Sequence, residues 1–168
     1  LGVIPTISPY LLPCVTPALR SHFPQLIPAW LEDKTEQLLA RLAGGTLEAA
    51  LLALEADIGD VEHETIARDP FVVAMSADHP LARKTSPVRE AELPDDELLL
   101  LDDGHCFREQ ALAACSSSKL HEAEFRATSL STLVQMVAGG SGVTLLPGLA
   151  VATEAARAGL AVRPLSAA

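Results

Sequence analysis

Cys106 and Cys115 are the residues of this chain best placed to do chemistry, and they lie nine positions apart. If the segment between them is helical, nine steps of ~100° turn through ~900° and rise ~13.5 Å, so the two thiols point to opposite faces. A disulfide needs its Cα atoms within ~7 Å. A helical segment therefore excludes the bond, and forming it must unwind or bend the chain. Two covalent states tied to two local structures meet the physical requirement for a switch. Cys106 follows Gly104-His105, where a helix should begin, and the positive end of a helix dipole favours a thiolate. His105 and Arg108 add positive charge or hydrogen bonds. Asp102, Asp103 and Glu109 oppose that effect unless Arg108 pairs with one of them. A thiolate attacks the O–O bond of a peroxide and becomes a sulfenic acid, which a second thiol captures. Cys106 is then the attacker and Cys115 the resolver. The same pair also fits two small buried hydrophobes, and spacing alone leaves both readings open.

The rest of the composition narrows the setting. Hydrophobic residues make up 49% and charged residues 20%, the balance of a soluble globular chain. A length of 168 residues allows one ordinary domain or two small ones. No apolar run approaches the ~18 residues of a membrane span. Twelve basic against 22 acidic side chains give a formal charge of −10, which repels phosphate. Direct nucleic-acid binding is therefore not expected of this piece. Three cysteines are too few for a disulfide scaffold and fit the reducing cytoplasm, where disulfides are transient or regulatory. No basic stretch leads into an apolar one as in a signal peptide. The chain opens without methionine on what reads as a strand entered midway, and is expected to be part of something longer.

The elements that must position the cysteines alternate in type. Residues 1–4 read as a strand. Ser8 is read as the cap of a helix through His22, with Pro13 and Pro17 inside it. Residues 26–31 read as a strand, Thr35 begins a helix through Ala43, and Gly44-Gly45 stops it. Residues 47–54 read as a strand. A polar, acidic stretch, 55–68, is a plausible crossing to a second unit. There, 70–75 reads as a strand, 88–93 as a short helix, 98–101 as a buried strand, and 106–114 as a helix. Residues 125–128 form the next strand, and Ser129 caps a helix ending at Gly139-Gly140. Strand 143–146, helix 151–157 and strand 160–165 complete the chain. Such alternation predicts α/β architecture with parallel, doubly wound sheets.

Three blocks carry a family resemblance. Gly104-His105-Cys106-Phe107-Arg108-Glu109-Gln110-Ala111, followed by Cys115, resembles the redox signature of the OxyR family of peroxide-responsive LysR-type regulators. Residues 1–13 are similar to that family's first regulatory strand and helix. Residues 125–130, continuing to 142–147, resemble a second block of the same domain. The resemblance covers nearly the whole chain; the His-Cys block is its specific part. It implies two Rossmann-like subdomains with an inducer cleft between them, the periplasmic-binding-protein-like fold. Subdomain I is expected at 1–68, lacking the family's return segment, and subdomain II, with the redox cysteines, at 69–168.

The resemblance also implies roles. Hydrogen peroxide oxidises Cys106, and Cys115 closes the disulfide. Thr6, Thr35, His105 and Arg108 match positions lining the peroxide pocket, where hydroxyls both donate to and accept from a small protic ligand. Thr128 and Ser129 are further candidates for the cleft, although a cap role suits Ser129 equally. No cofactor and no metal is implied. The regulatory domains pair as homodimers, within a tetramer of the intact protein. DNA is reached only through an N-terminal winged helix-turn-helix domain not contained in this sequence, in a cytoplasmic transcription activator with no membrane contact.

Several plainer readings stand beside these. Cys14 matches no redox motif and is read as structural. His22, His63, His79 and His121 are read as solvated. A zinc site from His105, Cys106, Cys115 and His121 has the spacing of no standard module. Gly139-Gly140-Ser141-Gly142 follows a helix and precedes a strand, so it is a stop and turn rather than a dinucleotide fingerprint. Competing functions are a LysR-type domain binding a metabolite noncovalently, a thiol peroxidase, and a periplasmic-type solute binder. The peroxidase lacks a Pro/Thr/Cys motif. Loss of response on replacing Cys106 separates the redox reading from the metabolite reading.

Overall fold

A computed structural model of the chain describes residues 1–54, 58–94, 96–103, 106–114 and 122–166, except the side chains at 106, 113, 114 and 122–124. Its first unit comprises β1 (Gly2–Val3), α1 (Ser8–His22), β2 (Leu31–Glu32), α2 (Thr35–Ala43) and β3 (Ala50–Leu51). The strands pair in parallel in the order β2-β1-β3. Gly2 lets α2 approach this sheet closely, since a Cβ there would lie 2.8 Å from the side chain of Leu38. Helix α1 forms despite Pro13 and Pro17, and its cap position is Ile7, with Ser8 already helical rather than the cap. The two prolines are four residues apart, share one face, and are both exposed, so water serves the carbonyls that lose an amide partner. Strand expectations in this unit were too generous. Residues 26–30 carry no strand: Pro28 removes a ladder donor, and Ile27 is 91% exposed. In 47–54 only Ala50–Leu51 pairs.

The second unit holds β4 (Phe71–Met75), β5 (Val88–Arg89), β6 (Leu98–Leu101), α3 (Cys106–Ala114), β7 (Glu122–Ala127), α4 (Leu130–Ala138) and β8 (Val143–Pro147). Helix α5 (Gly148–Ala150) then runs through a π-helical turn (Val151–Ala155) into α6 (Ala156–Ala158), and β9 (Ala161–Ser166) follows. The sheet order is β5-β9-β4-β8-β6-β7. This sheet is mixed rather than parallel as expected. Strand β6 is parallel to β7 and β8, but β4 runs antiparallel to both β8 and β9. The reason lies at the entry point. Phe71 pairs with Pro147, and the carboxylate of Asp69 accepts the Leu149 amide at 3.0 Å. The chain thus arrives where β8 ends, and must run against it. The short helix expected at 88–93 is instead β5 plus a 3-10 turn (Glu90–Glu92), with the Glu92 carboxylate accepting the Arg89 amide at 2.9 Å.

The core lies in this second unit. The four leucines of β6 are all at most 1% exposed, as expected of a strand covered on both faces. Val73, Met75, Leu145 and Leu146 flank them, and α4 contributes Leu133, Val134 and Val137. Thr144, buried among them, donates its hydroxyl to the Leu99 carbonyl at 2.8 Å. The first unit is thinner, with Ile4 and Leu38 at its centre. No helix among the described residues is long and apolar enough to cross a membrane.

Gly142 is the position that no side chain can take. Its φ is +141°, and a Cβ would sit 2.2 Å from the Glu97 carbonyl oxygen, the acceptor of the Val143 amide. Gly142→Ala should cost about 3 kcal/mol or more, since clash adds to strain. Gly45→Ala, with positive φ but open space around it, should cost about 1 kcal/mol. Urea denaturation of the two variants checks the difference; equal costs would refute this account of Gly142.

Candidate functional site

Parallel strands deliver the amino ends of their following helices to one edge of a sheet, where donors and dipoles converge. The described candidates occupy such places. Thr6 is in the turn after β1, Thr35 is the first residue of α2, Arg108 is in the first turn of α3, and Thr128 and Ser129 join β7 to α4. Thr6 is 6% and Thr35 8% exposed. The Thr35 hydroxyl is buried and has no hydrogen-bond partner among the described residues. A buried hydroxyl left this way is costly to the fold and is ready to meet a small protic ligand.

Asp103 joins the two units at this edge. It lies in the turn between β6 and α3. One carboxylate oxygen meets Arg108 Nε at 2.9 Å, and the other meets Arg126 Nη1, from β7, at 2.9 Å. Its carbonyl accepts Lys34 Nζ at 2.7 Å. Lys34 precedes Thr35 at the amino end of α2, so the contact runs from the first unit to the second. The pairing of Arg108 with an acidic neighbour, left conditional in the sequence, is made with Asp103. The Arg108 side chain is only 11% exposed.

Cys106 is the first residue of α3. The helix is held inward by Phe107 and Ala111, one turn apart and both buried. The Phe107 ring meets Phe71 edge-on, with centroids 5.4 Å apart. His105, Cys115 and His121 lie outside the described residues, and with them most of the zinc grouping weighed above. Thr128 and Ser129 are exposed, and the Ser129 hydroxyl accepts the Thr132 amide at 3.3 Å, capping α4. Two plainer readings need correction. Cys14 is exposed on α1 rather than packed. His79 is not solvated: its ring is 14% exposed, Nδ1 accepts the Leu81 amide at 3.2 Å, and Nε2 lies 3.4 Å from Glu97.

A second contact between the units escaped the sequence. Tyr10 Oη, from α1, donates to Glu154 Oε1 at 2.9 Å, and Ser131 Oγ, from α4, donates to the same oxygen at 3.1 Å. Burial, then the hydrogen bond and charge of Glu154, hold the Tyr10 phenol above its ordinary range. The partners are 144 residues apart, so no local pattern announces them. Helical spacing does place Tyr10 in an amphipathic helix, which was the only signal available.

The family model described as LysR substrate binding domain matches residues 1–168. The chain is 44% identical over 165 residues to the DNA-binding transcriptional dual regulator OxyR of Escherichia coli K12, covering 98% of this chain and 54% of that protein. It thus spans about half the length of this relative. The crystal structure of the reduced form of OxyR matches with a TM-score of 0.86 at 43% identity, covering 98% of this chain and 77% of that one. The oxidised form matches with a TM-score of 0.84 at 44% identity, over the same shares.

Two outcomes follow from this geometry. Tyr10 is the chain's sole tyrosine, so tyrosinate absorbance reports it alone. The native protein should ionise well above the ordinary phenol range, and Glu154→Gln should bring the transition down; an unmoved transition would count against the bridge. Thr35→Val swaps an unpaired buried hydroxyl for a methyl of similar shape. It should leave stability within about 0.5 kcal/mol of wild type or raise it. A loss above about 1.5 kcal/mol in urea denaturation would mean that the hydroxyl is bonded after all.

Proposed function

The chain belongs to the LysR substrate binding domain family, and from that membership we propose that it is the regulatory domain of an OxyR-type transcription factor, one that detects hydrogen peroxide through Cys106 and Cys115. One observation carries the reading. Helix α3 begins at Cys106 and stays helical through Ala114. Eight steps at ~1.5 Å put those Cα atoms ~12 Å apart. A partner thiol nine positions along a helix is ~13.5 Å away along its axis, beyond the ~7 Å reach of a disulfide. In this reading the helical state is the dithiol state, and oxidation changes the backbone.

The chemistry balances in two steps. The Cys106 thiolate attacks one oxygen of hydrogen peroxide; the O–O bond breaks, sulfur is oxidised to sulfenic acid, and hydroxide leaves. The Cys115 thiol then attacks that sulfur, and the hydroxyl leaves as water while the disulfide forms. Thr35, with its open hydroxyl, and Thr6 hold the peroxide in line with the sulfur. His105 and Arg108 complete the pocket, with Thr128 and Ser129 at its exposed margin. Residues 1–68 and 69–168 serve as the two subdomains. The domain is a stoichiometric sensor rather than an enzyme, needs no cofactor, and works in the cytoplasm. Remodelling alters how regulatory domains pair as homodimers within a tetramer, and so how winged helix-turn-helix domains of the parent protein sit on DNA. A chain of formal charge −10 leaves the DNA contact to those domains.

Intact mass and thiol count before and after one equivalent of hydrogen peroxide test the reading. Wild type should lose ~2 Da and yield a Cys106–Cys115 linked peptide, which Cys106→Ser should not. Thr35→Val should slow the oxidation ~10-fold, the value of one hydrogen bond. Unchanged thiols in wild type would sink the proposal in favour of a family member that binds a metabolite noncovalently.

A further inference from the structure

We propose that Asp103 is an electrostatic latch that holds the dithiol form of the domain and thereby sets the redox potential of the Cys106–Cys115 couple; the proposal rests on the peroxide-sensing reading above. The observation behind it is the convergence at this single residue. Arg108 lies between the two cysteines in sequence, and Arg126 lies beyond both. The carboxylate of Asp103 holds each at 2.9 Å, one per oxygen. The loop carrying both thiols is therefore closed by the Asp103–Arg126 pair, and its first helical turn is fixed by the Asp103–Arg108 pair. The adjoining backbone is pinned as well, since the Asp102 amide donates to the Ala127 carbonyl at 2.8 Å. The third contact, from Lys34, uses the Asp103 carbonyl rather than its carboxylate. It carries the latch to the unit that holds Thr35.

A contact made in one state and lost in the other shifts the equilibrium by its own free energy. Drawing Cys106 and Cys115 together must repack the helix whose first turn Arg108 occupies. The carboxylate contacts belong to the dithiol form, and they disfavour the disulfide. Their size is bounded by exposure. Lone exposed ion pairs contribute little, and the Asp103 side chain is 69% exposed. Arg108 is nearly buried, however, and two arginines share the carboxylate in fixed geometry. A several-fold effect is the expected scale.

The test is equilibration of this chain with glutathione buffers of graded ratio. Two thiols give up two electrons and two protons; oxidised glutathione takes them and becomes two reduced glutathiones. Asp103→Asn keeps the shape and the Lys34 acceptor but loses the charge. It should move the equilibrium threefold to tenfold toward the disulfide, a midpoint lower by ~14–30 mV for a two-electron couple. Arg126→Gln should move it the same way by less, and should add nothing to Asp103→Asn. Raising ionic strength should shift wild type toward the disulfide and leave Asp103→Asn unmoved. If Asp103→Asn fails to fold, Arg126→Gln and the salt series decide. A wild type that forms the disulfide, with a midpoint indifferent to these variants and to salt, overturns the latch alone. A wild type that forms no disulfide overturns the sensing reading and the latch with it.

Discussion

A helix that begins at Cys106 is incompatible with a disulfide from Cys106 to a thiol nine positions along it. What holds that helix in the second unit is therefore the constraint on which the proposed sensing depends. Helix α3 has nine residues, too few to persist in water on propensity alone. It exists because Phe107 and Ala111 dock on the core and because Arg108 is held from outside. Burying an aromatic side chain is worth ~1.5–3 kcal/mol. A helix with so few anchors suits the proposed reading, in which it is traded for another state. A longer helix with several such anchors would make the same bond unreachable.

The two units contribute unequally to this arrangement. The second has a continuous core of leucine, valine and phenylalanine around β6. The first rests on two-residue strands and a centre of Ile4 and Leu38. It meets the second through the Tyr10–Glu154 and Lys34–Asp103 contacts, which involve different helices. Tyr10 docks α1 on the helical segment after β8, whereas Lys34 docks α2 on the turn before α3. Only the second of these touches the turn that leads into α3. Residue 103 is linked to Thr35 through the Lys34 side chain and one peptide, while the Tyr10 bridge ties α1 to the second unit.

Local signals carried the sequence reading as far as local physics reaches. Ser129 as a cap, Gly139 as a stop, and the buried run of β6 were legible because each is set by its immediate neighbours. So was the helix from Cys106, and so was the conditional pairing of Arg108, because Asp103 is five residues away. What escaped was set at long range. The antiparallel course of β4 depends on where Asp69 meets Leu149, 80 residues on. The Lys34 contact spans 69 residues. Strand lengths in the first unit were overread because apolar runs around Pro28 look like strands until the missing donor and the exposed Ile27 are counted. His79 was misjudged for a related reason: its cap role, with Nδ1 accepting the Leu81 amide, needs the ring's direction.

The contacts around α3 are made by charged groups, and under the proposed sensing reading that choice matters. Asp103 precedes the helix by three residues, so its carboxylate competes with any thiolate for the positive end of the dipole. Two arginines on that carboxylate offset it, and with Lys34 the three cations match the three acidic groups Asp102, Asp103 and Glu109. An apolar contact of equal area could hold the helix as firmly, but it would leave those acidic groups unbalanced. It would also be indifferent to salt and harder to release, because burial is not screened. Charge pairs half open to water are weak singly and are easily exchanged for hydration. On the proposed sensing reading, such groups can hold the helix in one state and give way in the other. The apolar anchor, Phe107, is buried in the core and holds the helix without affecting the charge balance.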